Sequence, residues 1–269
     1  MKLSWLRVYS YGYLIFLFAP VFLLPLFAFN DAAVIAFPLK GFSLKWFASL
    51  LDNNALHDAV KNSLIIAVTV SVCSTALGVF AARASTRYDF RGKGAMMGFI
   101  MLPLVMPEVI LAVALLVIFI NVVNIPLGMG AVILGHILVC TPFTIAILNG
   151  AFLSLDKSLE EAAIDLGETR ISTFRLVILP LVMPGIVSSM LISFIISLDE
   201  FIIAFFVAGS TVTLPIYIFS QLRFPSGLPV IMALGTLLVC LSIALLAIAE
   251  YFRRRGVAKT GAKDTGGFL

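Results

Sequence analysis

The chain has 269 residues, of which 61% are hydrophobic and only 12% charged, with a formal net charge of +4. Soluble domains carry about 25% charge, so a mean hydropathy of +1.13 excludes a soluble globular protein and leaves too little polar sequence for a sizeable water-soluble domain. The basic excess does not point to nucleic acid, because its placement along the chain has a simpler reading.

Six stretches reach the roughly 20 apolar residues needed to cross a bilayer. They lie near 9–29, 63–84, 95–120, 128–150, 181–207 and 228–252. The pattern predicts an all-α, polytopic membrane protein with a single transmembrane domain over 1–255 and a polar, Gly-rich, disordered tail over 256–269. The first stretch has too long an apolar core for a signal peptide, and no small-x-small site follows it, so it is expected to remain as a span. If the N-terminus faces the cytoplasm, that side collects 14 of the 18 basic residues, leaving Lys40, Lys45, Lys61 and Arg223 outside. The positive-inside rule therefore puts both termini in the cytoplasm.

Between the first two spans, 30–62 forms the longest outer segment, with a short amphipathic stretch from Ser43 to Leu51. It reads either as a surface-lying helix or as a docking surface. Cys73, Cys140 and Cys240 lie far apart in apolar runs, with no metal or disulfide spacing, and read as packing residues.

The third span carries Pro103, Pro107 and Glu108. Counted from Ala95 along a straight helix, Glu108 lies roughly 20 Å from the cytoplasmic end. Each proline removes one helical hydrogen bond and frees a carbonyl four residues back, here at Phe99 and Pro103. A carboxylate beside freed carbonyls is an acceptor-only cluster, suited to a cation rather than an anion. His136 and Asn121 are candidate partners if Glu108 is instead satisfied internally. Late in the fifth span come Asp199 and Glu200, flanked by Phe201, Phe205 and Phe206. Intramembrane acids mark functional paths by default; for this pair, pairing with Arg223 is the rival reading.

The loop 151–180 is the longest polar stretch between the fourth and fifth spans. Leu155, Leu159, Ala162, Ala163 and Leu166 recur at helical spacing and predict one apolar face. Ser158 with Glu161 fits a capping box, Gly167 fits a left-handed helix stop, and Thr169 or Ser172 can cap a second short helix. The acids Asp156 and Glu160, and Glu161 and Asp165, repel at i,i+4 spacing. Asp165 also stands at the wrong end for the helix dipole. A basic partner surface over this helix removes both conflicts, and the small Ala162 and Ala163 permit its close approach.

The run Glu161-Ala162-Ala163-Ile164-Asp165-Leu166-Gly167, followed by Val177-Ile178-Leu179-Pro180, resembles the E-A-A-x(3)-G-x(9)-I-x-L-P loop of ABC-importer permeases, with Val177 in place of Ile. The resemblance implies the type I importer permease fold. It makes Glu161, Ala162, Ala163, Asp165 and Gly167 the residues of a coupling helix seated on a cytoplasmic ATPase. No G-x-x-x-x-G-K-[ST] run is present, so ATP and Mg²⁺ are expected on that partner, with no cofactor, metal or catalytic residue on this chain.

Further segments resemble the second permease subunit of spermidine/putrescine importers. These are Gly41-Phe42-Ser43-Leu44-Lys45-Trp46-Phe47, Tyr88-Asp89-Phe90-Arg91-Gly92-Lys93, Pro103-Leu104-Val105-Met106-Pro107-Glu108 and Ser197-Leu198-Asp199-Glu200-Phe201. That likeness implies a polyamine path lined by Glu108, Asp199 and Glu200, in the bacterial inner membrane. It implies as partners a second permease, an ATPase dimer and an extracytoplasmic binding protein, with membrane lipid around the spans. Pro225-Ser226-Gly227-Leu228-Pro229 departs from that family's Pro-Glu-(Ile/Val)-Asn-Ala, which leaves another cationic or small organic solute open. An ATPase-independent channel or carrier is the rival class. The only histidines, His57 and His136, belong to no catalytic or zinc pattern, so an enzyme is not expected.

Overall fold

The computed structural model describes residues 2–260, and every regular element among them is helical. In chain order the helices are α1 (Lys2–Ala28), α2 (Lys45–Leu51), α3 (Asn54–Arg87), α4 (Lys93–Met101), α5 (Glu108–Asn121) and α6 (Met129–Leu153). There follow α7 (Ser158–Asp165), α8 (Arg170–Thr173), α9 (Leu179–Asp199), α10 (Ile202–Val207), α11 (Leu214–Gln221) and α12 (Leu228–Thr260). Among the described residues, five runs are long and apolar enough to cross a membrane: Trp5–Ala28, Asn54–Arg87, Met129–Leu153, Arg170–Asp199 and Pro225–Phe252. A bent pair makes a sixth when taken as one span.

That pair corrects the straight helix expected over 95–120. α4 passes through a 3₁₀ turn at Leu102–Leu104, and α5 leaves at 104° to it. The cause is local. Pro107 has no amide to donate, biases Met106 away from the helical region, and itself adopts φ −59°, ψ 126° as the N-cap of α5. The fifth span also differs from 181–207. Helix runs into it from Arg170 and ends at Asp199, where Glu200 turns extended (φ −69°, ψ 114°) before α10 begins. α12 continues through Thr260, so 256–260 of the expected disordered tail are helical, and 261–269 lie outside the described residues.

The chain divides into two compact units. The first comprises residues 1–58 and 217–243. Its segment between α1 and α2 is braced around Asn30, which is 2% exposed. The Asn30 carbonyl accepts from Trp46 Nε1 at 2.7 Å, and its side-chain oxygen accepts from the Lys40 amide at 2.9 Å. Phe29 stacks on Phe42 with centroids 5.5 Å apart, and Lys45 pairs with Asp31 at 2.6 Å. Arg223 lies over the Phe219 ring at 5.7 Å.

The second unit, residues 59–216 and 244–260, is built on α6. α9 packs along α6, and α5 and α10 pack on each other and on α6. Val70, Leu115, Phe119, Val132, Ile203 and Val207 form part of its buried core. Without a hydrophobic force between helices in lipid, small residues and hydrogen bonds must hold them. Both are present. A Cβ on Gly135 would lie 2.6 Å from Ile203 Cγ2, so only glycine lets α6 approach α10 this closely. Ser193 and Ser197, one turn apart on α9, bond Ser74 Oγ of α3 at 2.6 Å and His136 Nδ1 of α6 at 2.9 Å. His136 is thus a packed residue of the bundle. Cys140 is buried, whereas Cys73 and Cys240 are exposed, which corrects their reading as packing residues.

Candidate functional site

Two places in the second unit gather the candidate residues. The first is the 151–180 loop. α7 starts one residue earlier than a Ser158 cap requires: Lys157 is the N-cap, and Ser158 is already helical. The capping box is therefore out of register. Asp156 Oδ1 instead accepts the Ser158 amide at 3.0 Å, and that bond holds the Asp156 carboxyl below the usual carboxylate range. Gly167 takes φ +93° and ends the helix in the left-handed region that glycine tolerates. Thr169 caps α8, its hydroxyl accepting the Ser172 amide at 3.2 Å. A π turn at Phe174–Ile178 then leads into α9.

The expected apolar face of α7 splits in two. Leu155 and Ala163 are buried in the unit, while Leu159, Ala162 and Leu166 point away from it. Leu166 is 87% and Ile171 82% exposed, so two large apolar side chains flank Gly167 with nothing of this chain over them. Glu161 and Asp165 share the exposed side. Glu160 does not. Arg87 Nε of α3 donates to its Oε1 at 2.7 Å, Arg83 Nη2 lies 3.9 Å from its Oε2, and Arg87 Nη2 donates to the Leu155 carbonyl at 3.1 Å. Its repulsion with Asp156 is thus relieved inside the chain rather than by a partner. Arg83 also lies over the Phe174 ring at 4.4 Å. This grip of α3 on α7 was not read from the sequence. Its available signal was Arg83 and Arg87, one turn apart at the end of an apolar run, which served there only to set topology.

The second place is the pair of helix breaks. Glu108 is the first residue of α5, exposed in the N-terminal turn where the helix dipole favours a carboxylate. Phe99 does not present a free carbonyl, because it accepts the Leu102 amide. The suggested partners also fall away. His136 bonds Ser197, and Asn121 stands at the far end of α5, roughly 20 Å along the helix. Asp199 is exposed at the end of α9. Glu200 is half-buried, and its Oε1 accepts the Ile203 amide at 3.0 Å, capping α10. α5 packs on α10, and Glu108 lies close enough to Glu200 for their charges to act on each other. Two acids 92 positions apart thus stand within electrostatic range of each other, each at a chain break. Phe201, Phe205 and Phe206 pack edge and face against one another beside them, at 5.3 and 5.8 Å.

Residues 74–256 match the family described as binding-protein-dependent transport system inner membrane component. The spermidine/putrescine transport system permease protein PotC of Haemophilus influenzae is 35% identical over 250 residues, covering 92% of this chain and 94% of that protein. The putrescine transport system permease protein PotI of Escherichia coli is 37% identical over 231 residues, covering 83% and 82%. A chain in the crystal structure of a bacterial ABC transporter involved in the import of the acidic polysaccharide alginate superposes with a TM-score of 0.69. It covers 94% of this chain and 96% of that one at 15% identity, a likeness of fold alone. With its helical spans and the loop between α6 and α9, this chain belongs to the family of inner membrane components of binding-protein-dependent transport systems, the permease subunits of ABC importers.

Proposed function

We propose that this chain is one of two permease subunits of an ATP-driven importer of polyamines, and that Glu108, Asp199 and Glu200 line the path. The observation that carries the substrate reading is that Glu108 and Glu200 each stand at a helix break, on packed helices and within electrostatic range of each other. Broken backbone at membrane depth is tolerated only against protein or a water-filled cavity, and transporter sites recur at such breaks. Acids there, beside three phenyl rings, suit a polycation. The relatives named for spermidine and putrescine transport support the same reading.

In this proposal α7 and the turn after it form the coupling surface, with Glu161, Ala162, Asp165 and Gly167 facing an ATPase and Ala163 anchoring the helix to its own chain. The exposed Leu166 and Ile171 support that role, since apolar side chains outside lipid need a cover. ATP and Mg²⁺ reside on the ATPase, the second permease is a different chain, and an extracytoplasmic binding protein delivers substrate. Both termini face the cytoplasm.

The test is uptake of labelled putrescine and spermidine by cells carrying the full transporter. Asp199→Asn with Glu200→Gln is expected to abolish uptake while assembly and basal ATP hydrolysis persist. Absence of uptake by the unaltered transporter would refute the polyamine assignment. Undiminished uptake by the double variant would refute the acid path.

A further inference from the structure

Behind α7, the C-terminal end of α3 and the start of α8 enclose a cleft of about 330 Å³. It stands apart from the proposed path and shares Glu161 with the coupling surface. Its wall carries four cations, Arg83, Arg87, Lys157 and Arg170, against two carboxylates, Glu160 and Glu161. Glu160 is already engaged by Arg87 and Arg83. The lining therefore holds a net positive charge, which makes it unfit for a polycation.

Two polar atoms in this lining lack a partner. Thr173 is 2% exposed, and its Oγ1 has no hydrogen-bond partner; neither does the buried Nη1 of Arg83. A hydroxyl and a guanidinium N–H left buried and unpaired are destabilising, and such groups in native proteins call for an explanation. Here the guanidinium is held over the Phe174 ring at 4.4 Å, and one of its edges is occupied by Glu160, which leaves Nη1 for something else. Guanidinium forks match the oxygens of phosphate.

We propose that this cleft binds a phosphate group, with Arg83 Nη1 and Thr173 Oγ1 as its inner donors and Lys157 and Arg170 at its rim. The group is either a free phosphate or the head group of an anionic phospholipid. The cleft lies at the end of the Asn54–Arg87 span and the start of the Arg170–Asp199 span. Basic pockets between spans at that level hold acidic head groups. An anion there would bridge α3 to α7 and α8, and so tie the loop to the spans.

The experiment uses the transporter complex purified in phosphate-free, lipid-depleted detergent, and reads binding only, so its result is separate from the polyamine assignment. One arm follows the thermal midpoint during titration with inorganic phosphate, which rises if the folded state binds it. The other measures phosphatidylglycerol retained by the complex in native mass spectrometry after release from nanodiscs. Thr173→Val keeps the side-chain volume and removes the unpaired hydroxyl, so the unliganded midpoint is expected to hold or rise. Affinity for whichever probe binds is expected to fall roughly tenfold, the effect of one hydrogen bond to a charged group. Arg83→Gln is expected to lower it further. A phosphate response assigns a free anion; lipid retention alone assigns a head group. Failure of both probes to bind the unaltered complex, or equal binding by both variants, overturns the proposal.

Discussion

Glu200 does two things at once: its carboxylate caps α10 through the Ile203 amide, and its charge lies within electrostatic range of that of Glu108. Substitutions can separate these roles. Glu200→Gln keeps an acceptor oxygen and is expected to leave the thermal midpoint near the unaltered value while reducing uptake. Glu200→Ala loses the cap as well and is expected to cost about 1 kcal/mol more. Equal loss of uptake and stability in both variants would show that the cap contributes nothing, whereas full uptake by Glu200→Gln with loss in Glu200→Ala would show that the cap alone matters. Asp156 offers a pH test. The Ser158 amide lowers its folded-state pKa, so its contribution to stability is present above the ordinary carboxylate range and lost as pH falls through the lowered value. The midpoint difference between the unaltered protein and Asp156→Asn is therefore expected at neutral pH, to begin shrinking near about 3.9 and to close only below the lowered folded-state value; a difference that widens in acid would contradict this. At Gly135, an added Cβ would meet Ile203 Cγ2 at 2.6 Å. Gly135→Ala is expected to destabilise by about 1–3 kcal/mol, and together with Ile203→Ala by less than the sum of the two. Gly167 and Thr169 were legible from sequence because each acts within one turn of itself. Glu160 was not, because its partner Arg87 is 73 positions away.

At the scale of elements, the breaks at Pro107 and Glu200 and the grip of α3 on α7 organise the second unit. Periodicity showed apolar runs at 95–120 and 181–207 but could not show that each is interrupted, since a broken span and a straight one have the same composition. The prolines signalled strain in the first; the 104° direction of α5 follows from its packing on α10 and α6. The grip is testable. The Arg87 side chain is 8% exposed and that of Glu160 20%. Arg87→Ala is expected to destabilise by about 2–3 kcal/mol, less than the 3–5 of a fully buried pair because Glu160 retains some solvent. Arg87→Lys is expected to recover only part of this, because a single ammonium does not reproduce a guanidinium serving both the carboxylate and the Leu155 carbonyl. Full rescue by lysine in a thermal unfolding assay would reduce the contact to simple charge.

For the molecule as a whole, the fold does not select the cargo. A transporter for an acidic polysaccharide has a chain of the same fold, so the substrate must be read from side chains placed in that fold. Composition and hydropathy by themselves determined a helical membrane protein, because crossing a bilayer demands long apolar helices whatever surrounds them. The Glu161–Gly167 run and its spacing to Leu179-Pro180 pointed to an importer permease, because that loop motif is a local element written in consecutive residues. Only the tertiary structure decided that Glu108 and Glu200 stand on packed helices within electrostatic range, that Glu160 turns inward to Arg87 while Glu161 stays exposed, and that Arg83 and Thr173 share a cleft. Each of these joins residues from different helices. Which helices meet, and through which faces, is set by close approaches such as Gly135 on Ile203 and by bonds such as Ser193 to Ser74, and no single stretch of sequence contains both partners.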